Sequence, residues 1–228
     1  MNINDVHNTI LYFLNKEQNG FVTHEEIDLV LDKSQMVLFN QYHNNPKQVA
    51  NSAKYGESQR MDDALSPFKQ RYTFTSIATP SGIITLPNDY MHLISLYTTV
   101  YNNTLQRNVY SAVQVLNEEE LIERLESQVL PVTPDDPIAI MNSQNRIQLF
   151  PESPATGGVY YFKRPAVPVF SYTQSGRTVT YNPATSTQLE WRDMDIMNVI
   201  VIALSYYGLN MSSEMVMQFA LNREVQGQ

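Results

Sequence analysis

The densest run of oxygen-bearing side chains lies near the start, at Asn15-Lys16-Glu17-Gln18-Asn19-Gly20-Phe21-Val22-Thr23-His24-Glu25-Glu26. Laid on the EF-hand loop, it puts oxygen ligands at positions 1, 3, 5 and 9, glycine at 6, an aliphatic at 8 and glutamate at 12. A calcium ion needs roughly six to eight oxygens around it, and the glycine permits the sharp turn that gathers them. Against calcium, position 1 is Asn rather than Asp, position 3 is the longer Glu, and no paired second hand follows. Asn19-Gly20 as a turn and Thr23-x-x-Glu26 as a capping box account for the same residues as a corner between two helices. The corner is the reading adopted, with no cofactor and no metal. A calcium-responsive binding protein using loop 15–26 is the alternative.

Other constellations are weaker. His24-Glu25-x-x-Asp28 is a zincin-like helix start with aspartate in place of the second histidine, and His7, His43 and His92 are scattered. A solvated helix start is expected there. Glu118, Glu119, Glu120, Glu123 and Glu126 suit the first turn and wet face of a helix. Asp62-Asp63, Asp135-Asp136 and the Asp193/Asp195 pair suit helix starts and loops. No nucleophile elbow, Walker loop or dinucleotide fingerprint occurs, and without cysteine there is no thiolate chemistry. Catalytic, cofactor-binding and metal-ligating residues are therefore all expected to be absent, and the chain is read as not an enzyme. Trp191, at the head of an apolar helix, is read as a core or interface anchor.

These residues sit on a chain of 228 residues, long enough for one large domain or two small ones. Its net charge of −8 and pI near 4.9 oppose a nucleic-acid-gripping role but suit a wall past which DNA slides. Fourteen tyrosines and nine phenylalanines against one tryptophan suggest broad packing or contact surfaces. The start lacks a basic region followed by an apolar core, so it does not read as a signal peptide. The most apolar stretch, Ile196 to Leu209, falls short of the roughly 20 residues a bilayer span needs. A soluble protein with no membrane partner is expected.

Helical spacing predicts a first helix over Asn4–Lys16 with Val6, Ile10, Phe13 and Leu14 on one face. A second helix follows the Thr23 cap with Ile27, Val30, Leu31, Leu38 and Tyr42, and a short one around Met61 and Leu65 ends at Pro67. From Tyr72 to Tyr181 the period is that of strands: Gly82–Pro87, Leu93–Tyr101, Val109–Val115, Arg146–Phe150, Gly158–Lys163 and Arg177–Tyr181, with Thr173 to Gly176 as a turn. A helix from Asn117 to Ser127 interrupts them. Thr187-x-x-Glu190 reads as a further capping box, opening a helix that Gly208 ends. Ser212 or Ser213 then caps a last helix presenting Met215, Phe219 and Arg223 as an anchoring stripe. The fold class is α+β: a helical bundle formed from the N- and C-terminal helices (1–70 and 186–228) with a β-rich central lobe over 71–185.

Three stretches carry a family resemblance. Ile83-Ile84-Thr85-Leu86-Pro87-Asn88-Asp89-Tyr90 is a strand leading into an LPxDY corner. Arg146 to Pro154 leads through Gly157-Gly158 to Val159-Tyr160-Tyr161-Phe162-Lys163-Arg164-Pro165, which reads as a hairpin ending in basic-Pro. The third is the helix ending Ile202-Ala203-Leu204-Ser205-Tyr206-Tyr207-Gly208-Leu209. In that order they resemble the tail tubular, or adaptor, proteins that ring the head–tail connector of short-tailed bacteriophages. The start, with Asn15-Lys16, Asn19-Gly20-Phe21 and Glu25-Glu26-Ile27, is similar to structural proteins of crAss-like phages. The resemblance implies a virion structural protein at the head–tail junction, assembled in the host cytoplasm, with another tail or virion structural protein as the alternative. Its partners would be itself in a twelve-fold ring, the portal protein above and tail ring or hub proteins below. Genomic DNA would pass through without sequence-specific binding during ejection. It implies no cofactor and no catalytic residue, and it makes Trp191, Met215, Phe219 and Arg223 the candidate assembly interface.

Overall fold

The computed structural model describes residues 1–16, 22–44, 55–74, 82–102, 106–142, 145–152, 156–176 and 178–210. It is mixed α+β. The chain begins with helices α1 (Ile3–Lys16), α2 (His24–Asn44) and α3 (Tyr55–Leu65), then a 3₁₀ turn at Ser66–Phe68. Strands β1 (Lys69–Phe74), β2 (Ile83–Thr85), β3 (Tyr90–Asn102), β4 (Arg107–Ala112) and β5 (Gln114–Leu116) precede helix α4 (Glu118–Glu126). Then come β6 (Ile138–Asn142), β7 (Arg146–Phe150), β8 (Thr156–Lys163), β9 (Tyr172–Ser175), β10 (Thr178–Tyr181) and α5 (Asp193–Asn210).

Two compact units result. Unit 1 takes Met1–Pro67 and Pro165–Gln228, and unit 2 takes Phe68–Arg164. The segment after Arg164, including the β9–β10 hairpin, falls in unit 1 rather than in the β-rich part where strand periodicity puts it. Its bonds explain why: Gln35 Nε2 donates to the Ala166 carbonyl at 2.9 Å, and the Phe170 N–H donates to Asp28 Oδ2 at 2.9 Å.

In unit 1, α1 buries Ile3, Val6, His7, Ile10 and Leu14, a stripe at helical spacing, while Phe13 is half-buried. Helix α2 buries Ile27, Leu31, Leu38 and Phe39 and packs against α3 and α5. Helix α5 buries the consecutive residues Val199, Ile200 and Val201 together with Ile196, Ala203 and Leu204, so more than one of its faces is covered. Two expectations for this helix fail. It starts at Asp193, not at Thr187, because both backbone groups of Thr187 are taken by a bridge to Val169 (3.2 and 2.9 Å) and Glu190 accepts from the Ala166 N–H. Nor does Gly208 end it; Gly208 is buried inside the helix, which continues to Asn210. The final helix expected after Ser212 lies outside the described residues.

Among the described residues, unit 2 holds two four-stranded sheets. The first, in order β1-β8-β3-β4, is antiparallel throughout. The second, β2-β7-β6-β5, is antiparallel except for the parallel β5–β6 pair, which α4 connects. One core, including Phe74, Leu96, Val159 and Tyr161 from the first sheet and Ile84, Ala139, Ile147 and Leu149 from the second, is shared between them. The Arg146–Lys163 region is not a hairpin: β7 and β8 belong to different sheets. The expected strand Val109–Val115 is likewise divided at Val113, which passes the chain from the first sheet to the second.

Candidate functional site

The cap at the start of α2 forms as its residue types require. The Thr23 N–H donates to Glu26 Oε2 at 2.9 Å, and the Glu26 N–H donates to Thr23 Oγ1 at 3.3 Å. The carboxylate that a calcium loop would use for chelation is thus committed to the helix start. Residues 17–21 of that loop lie outside the described residues.

Directly beside the cap, the fold assembles a group that the sequence leaves scattered. His7 is fully buried; its Nε2 lies 2.9 Å from Asp28 Oδ1 and its Nδ1 lies 3.1 Å from His24 Nδ1. The other oxygen of Asp28 accepts the Phe170 N–H, so this carboxylate ties α1, α2 and the segment after Pro165 together. The Phe170 ring stacks on both imidazoles, at 4.5 and 4.4 Å between centroids. With Asp28 accepting, His7 donates from Nε2, and of the two facing Nδ1 atoms one donates and the other accepts.

Burial, and after it the proximity of His7, hold the His24 imidazole below its ordinary pKa, partly offset by Glu25 and Asp28. The half-buried environment of His24 corrects the expectation of a solvated helix start. His24 opens onto a pocket of about 460 Å³ that also involves Glu25, Tyr172, Gln174 and the aliphatic Leu11 and Leu14. The Glu25 carboxylate accepts from the Tyr172 hydroxyl at 2.9 Å. The neighbouring Thr23 hydroxyl accepts in the cap and also bonds the Glu25 side chain. The arrangement is a linear relay rather than a coordination shell, since His7 stands between the other two members with one ring nitrogen toward each. Among the described residues, no group of three or more such side chains is placed to hold a metal ion.

Trp191 is 4% exposed and packs edge-on to Tyr42 at 6.1 Å, a core position within unit 1. Met215, Phe219 and Arg223 lie outside the described residues. Asp193 and Asp195 occupy the first turn of α5. Asp195 is buried, bonded to Arg192 at 3.3 Å and to the Tyr42 hydroxyl at 3.2 Å.

In unit 2 the chemistry lies on the surface. The face of the first sheet turned away from the core carries Tyr160, Tyr101 and Tyr110, which are 39%, 54% and 69% exposed. Tyr97 sits among them, 5.6 Å from Tyr110 and 5.9 Å from Tyr160. The Arg71 guanidinium lies over both Tyr97 and Tyr160 (5.6 and 5.8 Å) and donates to the Tyr97 hydroxyl. Strands β1, β8, β3 and β4 contain Lys69, Arg71, Arg107 and Lys163 and not one carboxylate, on a chain whose net charge is −8.

Helix α4 has the opposite character. Its N-cap Asn117 and Glu120 form a complete capping box, and Glu118, Glu119 and Glu120 line the first turn. None of its residues is buried. Ile122 and Leu125 are exposed, as are Val129 and Leu130 in the following loop, at 58%, 47%, 88% and 59%. That loop is pinned: Arg124 donates to the Leu130 carbonyl and pairs with Asp136, while the Leu130 N–H donates to Ser127 Oγ at 3.2 Å. The acids of α4 were legible as a helix start; the exposed apolar side they accompany was not singled out from the sequence, although Ile122, Leu125 and Val129 stand at helical spacing.

Among the described residues, no helix is long and apolar enough to cross a membrane. No protein-family model matches the chain, and no curated protein matches it.

Proposed function

We propose that the chain is a non-enzymatic structural subunit of a ring at the head–tail junction of a short-tailed, crAss-like bacteriophage, below the portal and forming part of the DNA conduit. In this reading the terminal helices pack as a bundle, and unit 2 is the β-rich lobe of the adaptor plan. The observation that carries it is the meeting of the first two stretches behind the resemblance. The Asp89 carbonyl of the LPxDY corner accepts the Arg164 N–H at 2.7 Å, and the Asp89 side chain accepts the Tyr161 hydroxyl at 3.1 Å. The corner thus takes the chain from β2 in one sheet to β3 in the other and holds the point where it leaves unit 2. The third stretch lies in the buried length of α5.

Imaging the parent particle tests the proposal. The expected result is density for this chain, repeated as a closed ring at the portal vertex, and co-sedimentation of the purified chain with purified portal. A chain absent from the particle, or present away from that vertex, overturns it.

A further inference from the structure

We infer that α4 with its pinned loop is a plug for a second copy of this chain, seated on the tyrosine–arginine face of the neighbour's first sheet. This rests on the ring-subunit reading, which supplies a repeated neighbour. Three observations converge on that occupant.

First, α4 is incomplete in the single chain. A nine-residue helix is marginal by itself in water. It ordinarily survives by burying an apolar side, yet of the apolar residues of α4 only Leu121 is half-buried and none is fully buried. Val129 and Leu130 are held outward by the Arg124 clamp, so the apolar group is presented in a fixed shape and costs little ordering on contact.

Second, the two surfaces are opposites. One is apolar and glutamate-rich; the other is aromatic and carries Arg71 and Lys69 on the tyrosine side, in a sheet whose strands contain no acid. Tyrosine and arginine are the residue types that concentrate contact energy at interfaces. Third, the two belong to different sheets, so a contact between them joins unlike patches on two copies. Such a head-to-tail contact leaves one patch of each kind free at the ends and propagates until it closes. A single strand of nucleic acid stacked on the tyrosines is the rival occupant. The acidic chain disfavours it, and it would leave α4 uncovered.

The test uses the full chain in sedimentation velocity, with circular dichroism to verify folding. Wild type is expected to associate progressively up to roughly millimolar concentration, where weak contacts become populated. Leu125→Asp with Val129→Asp removes the plug, and Arg71→Glu with Tyr110→Ala removes the socket; each variant alone should be monomeric, with at least a tenfold loss of association. Mixed in equal amounts, they should form a one-to-one dimer and nothing larger, because one intact plug meets one intact socket. Glu119→Lys with Glu123→Lys supplies a second plug variant that keeps the apolar residues, and it should pair better with the single variant Arg71→Glu, which keeps Tyr110, than with wild type. A wild type that stays monomeric, a mixture that stays monomeric, or a plug variant that associates like wild type overturns the proposal. So does a socket variant that loses only binding of a single-stranded oligonucleotide. Particle imaging judges the ring's location separately: association by these faces with no density at the portal vertex would retain the contact and discard the connector reading.

Discussion

The phenol ring of Tyr97 rests on Gly158: a Cβ at that glycine would come within 2.5 Å of the Tyr97 hydroxyl oxygen. The preceding residue, Gly157, faces the opposite side of β8, where a Cβ would come within 2.5 Å of the Phe74 ring and would also strike the Tyr97 backbone carbonyl. One glycine therefore lets the core close, and the other lets the tyrosine face lie flat enough for Arg71 to reach across it.

The two glycines should respond differently to alanine. Gly157→Ala meets backbone and core, with an expected loss of about 1–3 kcal/mol in denaturant unfolding. Gly158→Ala meets the far end of a surface side chain that can swing aside, so stability should change little while self-association weakens. Equal losses of stability in both variants would refute the assignment of one glycine to each face.

Acid should loosen unit 1 through His24. The unfolded imidazole takes its proton near pH 6.5, and the folded one takes it lower. The unfolded state therefore binds more protons in between. Stability is unaffected by this group above pH 6.5 and falls as pH drops from there toward the folded value. The groups facing the pair are Asp28, Glu25 and Tyr172, with Tyr207 of α5 near Glu26 and Asp28. Glu25 is held below its ordinary 4.5, first by a backbone hydrogen bond and then by Tyr172. Its contribution is present above pH 4.5 and lost only below it, outside the histidine window. Melting temperatures measured between pH 7.5 and 5 should fall, and His24→Gln should flatten the part below 6.5. An unchanged slope in the variant would assign the acid sensitivity elsewhere.

Removing the Tyr161 hydroxyl should loosen the corner. Burial, and then the bond to Asp89, push this phenol up to about 12, so it stays a donor throughout the physiological range. Tyr161→Phe leaves the buried ring in place and deletes one hydrogen bond to a carboxylate, an expected cost of about 1.5–3 kcal/mol by urea midpoint. Full retention of stability would show that solvent replaces the phenol at Asp89.

Millimolar calcium should leave the melting temperature unchanged, because a ligand stabilises only what it binds in the native state. Glu26→Gln keeps a side chain able to cap Thr23 and should melt close to the parent. A calcium-dependent rise that disappears in this variant would establish the loop as a cation site.

Local signals were legible where the whole interaction lies within one turn. Thr23 with Glu26 and Asn117 with Glu120 both close as capping boxes, but Thr187 and Glu190 have the same spacing and do not. Their polar groups serve Val169 and Ala166, contacts that only the folded chain brings near. Strand β6 escaped because Ile138 to Met141 is a continuous apolar run in the middle of a sheet, with no alternation to read. Strand β1 escaped for the reverse reason, its outer residues Lys69, Gln70 and Arg71 being exposed at a sheet edge. His7 had a signal that went unused: it occupies the buried stripe of α1 with Val6 and Ile10, where a histidine must find a polar partner.

Unit 2 interrupts unit 1 with both of its ends side by side, since Lys69 at the beginning of β1 is the paired partner of Phe162 near the end of β8. The two paired strands hold the entry and exit of unit 2 at nearly fixed separation, whatever else changes within it. Lengthened loops, an added strand or an exchanged sheet in this unit would leave the span that the helical segments must bridge almost unchanged. Related chains are thus free to diversify the inserted unit rapidly while keeping the helical frame constant, and a chimaera joined at these two strands is the natural way to transplant one surface onto another frame.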